Sequence, residues 1–342
     1  MLPTLLGILF FTFLIIQFVP GGPVEQLVNK LSGLDSISES SSSSNTYRGS
    51  NGLSDEHIEQ LNKFYGFDKP FLERFFIMIG NYASFDLGMS YFHNQSVGDL
   101  ILSKLPVSIS LGLWSFIIVY LVSIPLGIKK AVNDGSRFDI ISSTIVLIGY
   151  SIPGFVLGIG LIVLLGGGSF FDIFPTRGLV SDDWSNLSVI EKILDYLWHI
   201  TLPIICLIIG SFAVMTMLTK NSFIDEINKL YTVTARAKGL SENKVLYSHV
   251  FKNAIIPILT GFPAQFVSAF FTGSILIETI FSLDGIGLLS YEAIIQRDYP
   301  VVMGTLFVFT LIGLLTKLIT DIMYVYVDPR IKFTSSSTQR NQ

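Results

Sequence analysis

The side chains best suited to chemistry are few in this sequence and stand far apart. Four histidines, His57, His93, His199 and His249, are scattered along the chain, and no two have the spacing of metal ligands. The single cysteine, Cys206, lies inside an apolar run, so an internal disulfide is excluded. The chain has no Gly-rich phosphate loop of the kind found in nucleotide hydrolases. These residues predict no catalytic group, no metal and no cofactor held by this chain.

Two charged residues, Lys317 and Asp321, interrupt the last apolar run of the sequence. An ionisable side chain inside a membrane is costly, so it is by default a candidate for function. Because the two residues are one helical turn apart, we predict that they form an intramembrane ion pair.

Residues 221–253 have the pattern of a helix, a break and a second helix. Gly239 can take the left-handed conformation that ends a helix. Ser241 is a good N-cap, and Glu242 suits the first turn of the helix that follows. The sequence therefore predicts two short helices that are separated at Gly239.

Small and basic residues alternate at the end of the first of these helices. Ala235 and Ala237 allow another protein to approach closely, while Arg236 and Lys238 place positive charge around that contact. A short amphipathic element that projects from a membrane suits a groove on a partner protein. A basic amphipathic segment that lies on anionic lipid is the alternative at this point.

Long uncharged runs on either side of residues 221–253 indicate the helices that position this segment. Hydrophobic residues make up 50% of the chain and charged residues 14%, where a soluble domain carries about a quarter charged residues. A bilayer is crossed by about 20 apolar residues as a helix, because backbone groups in lipid must bond within the segment. The sequence predicts an all-α membrane protein with about six transmembrane helices. They are residues 1–19, 105–128, 140–165, 198–219, 254–277 and 299–327.

Lys and Arg concentrate in the loops on one side of these helices, which predicts that this side is cytoplasmic. The basic residues on this side are Lys129, Lys130, Arg137, Lys220, Lys229, Arg236, Lys238, Lys244, Lys252, Arg330, Lys332 and Arg340. The short loops on the opposite side contain only Arg177, Lys192 and Arg297. Both termini, the segment 221–253 and the tail at 328–342 are then cytoplasmic. The formal net charge of −4 indicates no nucleic-acid partner.

Residues 20–104 form the predicted extracytoplasmic segment after the first helix. Residues 35–54 are rich in Ser, Asn and Gly and have few apolar anchors, so we expect them to be flexible. Residues 55–80 have apolar residues at helical spacing, which predicts a helix that packs as an outer cap on the membrane helices. The apolar start lacks basic residues and a small-residue cleavage site, which favours a retained helix over a signal peptide.

The stretch TARAKGLSE at 234–242, followed by HVFKNAIIP at 249–257, resembles the coupling-loop motif of ABC importer permeases. Its form is that of the dipeptide/oligopeptide/nickel family. Further matching stretches run in order along the chain: Pro20–Pro23, Tyr65–Pro70, Phe85–Ser90, Leu105–Leu111, Glu278–Phe281, Gly285–Leu288, Arg297–Pro300 and Asp328–Arg330. The stretches 114–139 and 195–203 and the outer insert are most similar to microcin C-type peptide importer permeases.

This resemblance implies the fold and the assembly of a type I ABC importer permease in a bacterial inner membrane. Such a permease, surrounded by membrane lipid, pairs with a second permease subunit and two cytoplasmic ATPase subunits. An extracytoplasmic binding protein delivers peptide to it. ATP is bound by the partner subunits, so the resemblance implies no enzyme activity in this chain. It assigns ATPase coupling to Thr234, Ala235, Arg236, Ala237, Lys238, Gly239, Leu240, Ser241 and Glu242, with Arg236 as the main polar contact.

The sequence departs from the family pattern in two places. The basic stub that family members usually carry before the first helix does not precede Leu2. Lys317 stands where the family usually has an apolar residue or Asn, so contact with a substrate carboxylate or with the second permease is an alternative to its pairing with Asp321. For Glu278, the family match suggests a structural or docking role.

Two other function classes find little support in the residues. A membrane enzyme needs paired intramembrane Asp residues or a Ser/His set, and the apolar runs contain neither. A secondary transporter or channel is expected to have duplicated halves or more midplane charges. Within the family, microcin C-like peptides, general oligopeptides, dipeptides and nickel all remain open as the substrate.

Overall fold

The structure is a computed structural model that describes residues 1–18, 69–166, 170–271 and 275–327. Regular secondary structure in these ranges is helical, and extended pairing occurs there only as isolated bridges. The all-α prediction is therefore confirmed for the described part of the chain. The segment predicted to be flexible, 35–54, and the tail at 328–342 lie outside the described residues.

The chain divides into two compact units. The first consists of residues 1–104 and 289–311, and the second of residues 105–288 and 312–342.

In the first unit, two helices pack through aromatic rings. α1 (Leu2–Phe18) buries one residue per turn, and α2 (Phe71–Ala83) places Phe75 against it. The ring centroids of Phe13 and Phe75 are 5.5 Å apart. The guanidinium of Arg74 lies 5.7 Å from the centroid of the Phe13 ring, where a cation is attracted to the aromatic face.

The outer helix predicted over 55–80 is confirmed from Phe71 onward and continues to Ala83. Residues 55–68 of that prediction lie outside the described residues. Because α2 packs on α1, the predicted contact between this outer helix and a membrane helix is present in the first unit.

A buried carboxylate, Asp298, joins two loops of the first unit. Its Oδ2 accepts a hydrogen bond from the Ser90 hydroxyl at 2.5 Å, and its Oδ1 accepts one from the Tyr91 N–H at 3.1 Å. Asp298 is fully buried, so its charge needs such donors. The contact brings together the stretches Phe85–Ser90 and Arg297–Pro300, which lie far apart in the sequence.

The other helices follow in chain order. They are α3 (Val97–Val132), α4 (Arg137–Ser151), α5 (Gly154–Leu165), α6 (Val189–Ile227), α7 (Leu230–Ala237), α8 (Glu242–Val245), α9 (Phe251–Ala254), α10 (Ile256–Phe271), α11 (Ile275–Ile280), α12 (Ile286–Gln296) and α13 (Tyr299–Val327). A 3₁₀ turn occupies Trp184–Asn186, and a π-helical stretch occupies Leu246–Val250.

Three helices in the described residues, α3, α6 and α13, are long and apolar enough to cross a membrane. The number rises to five if each of two bent helix pairs counts as one span. With 17 residues, α1 lies at the short end of the lengths that cross a bilayer. Each of the six predicted spans overlaps one of these five candidates or α1. The second bent pair, 242–254 with 256–267, begins before the predicted span 254–277 and includes part of the segment 221–253.

The span predicted over 140–165 is not one straight helix. α4 and α5 meet at a bend of 94°. Pro153 causes the break, because it has no N–H to continue α4 and disfavours helical backbone at the residue before it. Ile152 accordingly has extended backbone, with φ −90° and ψ 118°.

The bounds of three other spans also differ from the prediction. α3 and α6 extend beyond 105–128 and 198–219 at both ends, because polar residues continue each helix past its apolar run. The span predicted over 254–277 is divided between α10 and α11, with residues 272–274 outside the described ranges. The span predicted over 299–327 is confirmed by α13.

In the second unit, the N-terminus of α12 is capped by residues from other helices. Glu278 of α11 is fully buried, and its Oε2 accepts a hydrogen bond from the Leu288 N–H at 2.7 Å. Ser108 Oγ accepts one from the Ile286 N–H at 3.0 Å. The first N–H groups of a helix have no partner within the helix and carry partial positive charge, so a carboxylate is well placed there. This geometry gives Glu278 a structural role.

We predict that Gly285→Ala destabilises the protein. A Cβ at this position would lie 2.5 Å from the carboxyl carbon of Glu278, so the carboxylate would have to leave the N–H groups that it caps. Such overpacking costs about 1–3 kcal/mol. Gly261→Ala is the matched control, because nothing lies within 4 Å of the Cβ it would add. Thermal unfolding in detergent should show a lower midpoint for Gly285→Ala alone, and equal midpoints would contradict the packing described.

Candidate functional site

The predicted break at Gly239 is a complete helix-termination motif. Gly239 has φ +80°, in the left-handed region. Its N–H donates to the Arg236 carbonyl at 2.9 Å, and the Leu240 N–H donates to the Ala235 carbonyl at 3.4 Å. These two bonds are those of a Schellman motif, which satisfies the last carbonyls of α7. The predicted helix, break and helix are confirmed.

The start of the second helix differs from the prediction. Ser241 occupies the N-cap position of α8 with extended backbone, but its side chain makes no capping hydrogen bond. α8 is short and passes through the π-helical stretch into α9. α8 therefore begins without a side-chain cap, and the predicted capping by the Ser241 hydroxyl is wrong.

One face of α7 is built into the protein's own interior. Thr232 and Ala235 are buried. Ala235 belongs to an apolar cluster with residues from the ends of neighbouring helices: Ile128, Ala131, Phe223, Val245, Val250 and Ala254. The expectation that Ala235 itself approaches a partner is corrected, because its small side chain lets α7 pack on α3 and α6.

Hydrogen bonds fix the orientation of α7 relative to α6. Thr232 Oγ1 donates to the Ile227 carbonyl at 2.7 Å. Tyr231 donates from its hydroxyl to Glu226 Oε2 at 2.6 Å and accepts from Asn253 Nδ2 at 3.2 Å. Burial and the bond to Glu226 raise the pKa of Tyr231, which keeps its hydroxyl protonated as a donor. The segment is therefore tied to both α6 and α9.

The opposite face of α7 is exposed and partly apolar. Leu230 is 85% exposed and Val233 is 53% exposed, and Thr234 and Ala237 are exposed beside them. Leu230, Val233 and Ala237 follow helical spacing, so they form one stripe. The sequence interpretation missed Leu230 and Val233, although their spacing from Ala237 was a signal that could have found them.

Arg236 is engaged within the chain. Its Nε lies 3.0 Å from Oε1 and 3.2 Å from Oε2 of Glu242. The Arg236 side chain is 37% exposed and the Glu242 side chain is 73% exposed. A solvent-exposed ion pair is worth about 0–1 kcal/mol, so a partner protein can compete for either group at low cost. Lys238, Gly239 and Ser241 are exposed as well, and Leu240 is half-buried.

The intramembrane pair predicted for Lys317 and Asp321 is not formed. Lys317 is exposed, Asp321 is half-buried, and no ion pair joins them in the described part of α13. Within the described residues, no group of His, Cys, Asp and Glu could hold a metal ion.

Comparison with known proteins identifies the family. Residues 123–333, more than half of the chain, match the family described as binding-protein-dependent transport system inner membrane component. The chain belongs to this family. It is thus a multi-pass inner-membrane component of a transport system, and the permease family predicted from the motifs is confirmed.

Individual relatives align along almost the whole chain. It is 58% identical to the peptidoglycan transport system permease protein YejB of Agrobacterium fabrum, with 97% of this chain and 96% of that protein covered. It is 53% identical to the inner membrane ABC transporter permease protein YejB of Escherichia coli O157:H7, with the same coverage. It is 32% identical to the oligopeptide transport system permease protein AppB of Bacillus subtilis, again over 97% and 96%.

We predict that replacing an alanine by leucine has different effects on the two faces of α7. Ala235→Leu should detach α7, because the added atoms have no space in the apolar cluster, at a cost of about 1–3 kcal/mol. Ala237→Leu should leave the fold unchanged, because Ala237 is exposed. Limited proteolysis within 228–243 of the purified protein is the measurement. Equal cleavage of the two variants would show that Ala235 does not anchor the helix.

Proposed function

We propose that this chain is a permease subunit of an ATP-driven importer of peptides. The names of its relatives support the substrate class, since they describe transport of peptidoglycan, oligopeptides and dipeptides. The observation that carries the ATP-driven part is α7, a short helix fixed to the membrane helices on one face and exposed on the other. Such an element suits a groove on a partner subunit.

The assembly contains two ATPase subunits, a second permease subunit and an extracytoplasmic peptide-binding protein. ATP is hydrolysed on the ATPase subunits, and this chain holds no cofactor. Both termini and α7 are cytoplasmic, which agrees with the excess of Lys and Arg in the same loops. Microcin C-like peptides and general oligopeptides are the preferred substrates, and dipeptides or nickel are the alternatives within the family.

The exposed stripe of α7 is the part that enters the ATPase. Leu230, Val233 and Ala237 supply apolar area, and Arg236 and Lys238 supply charge at its border. An apolar centre with a polar rim is the usual anatomy of a specific interface. Anionic lipid is the competing occupant of this face. A substitution on the face that abolishes ATPase binding supports the ATPase as the occupant, because a face that contacts only lipid does not contribute to ATPase binding.

We expect Leu230→Asp to reduce co-purification of the ATPase at least about tenfold, because a charge would be buried at the centre of the interface. Leu72→Asp is the matched control: Leu72 is 57% exposed on α2, which the proposed orientation puts outside. The measurement is pull-down of the ATPase with the tagged full chain. If Leu230→Asp retains the ATPase and Leu72→Asp loses it, both the docking face and the orientation are wrong.

Transport itself is tested in proteoliposomes that contain this chain, the second permease and the ATPase subunits, with the binding protein outside. We expect uptake of a labelled oligopeptide that requires ATP inside and stops with a non-hydrolysable analogue. Competition with unlabelled dipeptide and with Ni²⁺ ranks the alternative substrates. Uptake that is independent of ATP and follows an ion gradient would instead establish a secondary transporter.

A further inference from the structure

A cluster of buried charges lies at the predicted cytoplasmic end of α3, α4 and α6. Lys130 is fully buried. Its Nζ donates to Ser142 Oγ at 2.8 Å, to Ser143 Oγ at 2.7 Å and to the carbonyl of Asp139 at 3.0 Å. It also lies 3.1 Å from Asp139 Oδ1. The ammonium group thus has an acceptor for each of its three hydrogens.

The second oxygen of Asp139 extends the cluster to α6. Oδ2 accepts from Lys220 Nζ at 2.7 Å and from the Gly135 N–H at 3.2 Å. Lys220 also lies 2.9 Å from Asp134 Oδ1 in the turn between α3 and α4. Two lysines and two aspartates are therefore balanced in charge, with Asp134 exposed, and the carboxylate of Asp139 on α4 binds lysines of α3 and α6.

Two of these helices, α3 and α6, meet closely at this level. A Cβ on Gly127 of α3 would lie 2.6 Å from Thr219 Cβ and 2.8 Å from the Thr216 carbonyl oxygen of α6. Gly127 is one turn before Lys130, and Thr219 directly precedes Lys220. The backbones of α3 and α6 are thus in near contact beside the charges, which leaves little room for one helix to slide along the other.

α6 carries this arrangement directly to α7. From Lys220 the helix continues without a break to Ile227, and α7 begins at Leu230. The apolar cluster around Ala235 also contains Ile128 and Ala131 from the last turns of α3. The charge cluster and the apolar cluster therefore join the same helix ends to α7.

A buried ion pair seldom adds net stability over apolar residues of similar size, but removing one partner is strongly unfavourable. The cluster is satisfied in one mutual arrangement of α3, α4 and α6. A shift that separates Asp139 from Lys220 would deprive one oxygen of the buried Asp139 carboxylate of its ammonium partner, while Lys130 stays on the other oxygen. Its effect is on which helices move together rather than on whether the chain folds.

We propose that Lys130, Asp139 and Lys220 are positioning residues that make the α3–α4 turn move as one body with α7. The proposal rests on the proposed function, since α7 is the element that binds the ATPase. Movement imposed on α7 by the ATPase then passes to α3, α4 and α6 together. Without the link between Lys220 and Asp139, ATP hydrolysis continues, but the membrane helices follow the movement of α7 less completely.

The first test is uptake per ATP hydrolysed, measured with the complete complex in proteoliposomes. In Lys220→Gln the ATPase should still bind and hydrolyse ATP, and peptide uptake per ATP should fall at least about fivefold. Lys220→Arg should restore most of the ratio, because it keeps the charge opposite Asp139. Lys129→Gln is the matched control, since Lys129 lies beside Lys130 at the end of α3 but is exposed and lies over the Phe138 ring instead.

The second test measures a distance, and its main comparison leaves the cluster unchanged. Spin labels at Asn133 and Lys244, both exposed, are introduced in a Cys206→Ala background, and their separation is measured without nucleotide and with ATP. The proposal predicts one narrow distance distribution that stays within about 2 Å in both states, and a broader one in Lys220→Gln. A change of about 5 Å or more between the states, the size of a one-turn shift, would overturn it.

The outcomes of these tests also separate the two proposals. If the unmodified chain binds no ATPase, the proposed function fails. If the complex transports peptide but Lys220→Gln keeps the full uptake per ATP, only the positioning role fails. If Lys220→Gln does not assemble, the spin-label distances in the otherwise unchanged chain decide the matter.

Discussion

Polar groups that leave water on folding must find their partners inside the protein, and the described parts of this chain depend on that constraint. Three buried carboxylates near the ends of apolar helices accept hydrogen bonds from such partners. Asp298 accepts from the Ser90 hydroxyl and the Tyr91 N–H. Glu278 caps α12, and Asp139 binds two lysines. Asp298 and Asp139 join segments that are 208 and 81 residues apart, so satisfying these two charges also determines which loops and helices lie together.

The cytoplasmic segment shows how this constraint leads to function. α7 is held on one side by Ala235 and by the hydrogen bonds of Thr232 and Tyr231, so its other side is presented in a defined direction. A rigid link is required if force on α7 is to reach the membrane helices. In the proposed importer, the buried charges around Asp139 provide that link, and the exposed stripe that begins at Leu230 provides the contact with the ATPase.

Much of the fold could be predicted because lipid imposes a simple rule on composition. An uncharged run of sufficient length becomes a helix, and Gly239 ends a helix because glycine takes positive φ without strain. Prediction failed where the outcome depended on neighbours. The range 140–165 is predicted as one span, and the structure divides it at Pro153 into two helices that meet at 94°. Lys317 and Asp321 have pairing distance in sequence, yet no ion pair joins them in the described part of α13.

By itself, the sequence determined the membrane class, the helical break at Gly239 and, through its motifs, the permease family. These depend on residue type and short spacing, which are visible along one dimension. Only the tertiary structure decided that Ala235 faces inward while Ala237 faces outward, that Glu278 caps α12, and that Lys130 and Lys220 share Asp139. Those outcomes depend on which surfaces of different segments meet. Burial sets the cost of an unpaired charge or an added methyl group, and a residue becomes buried only when those surfaces have met.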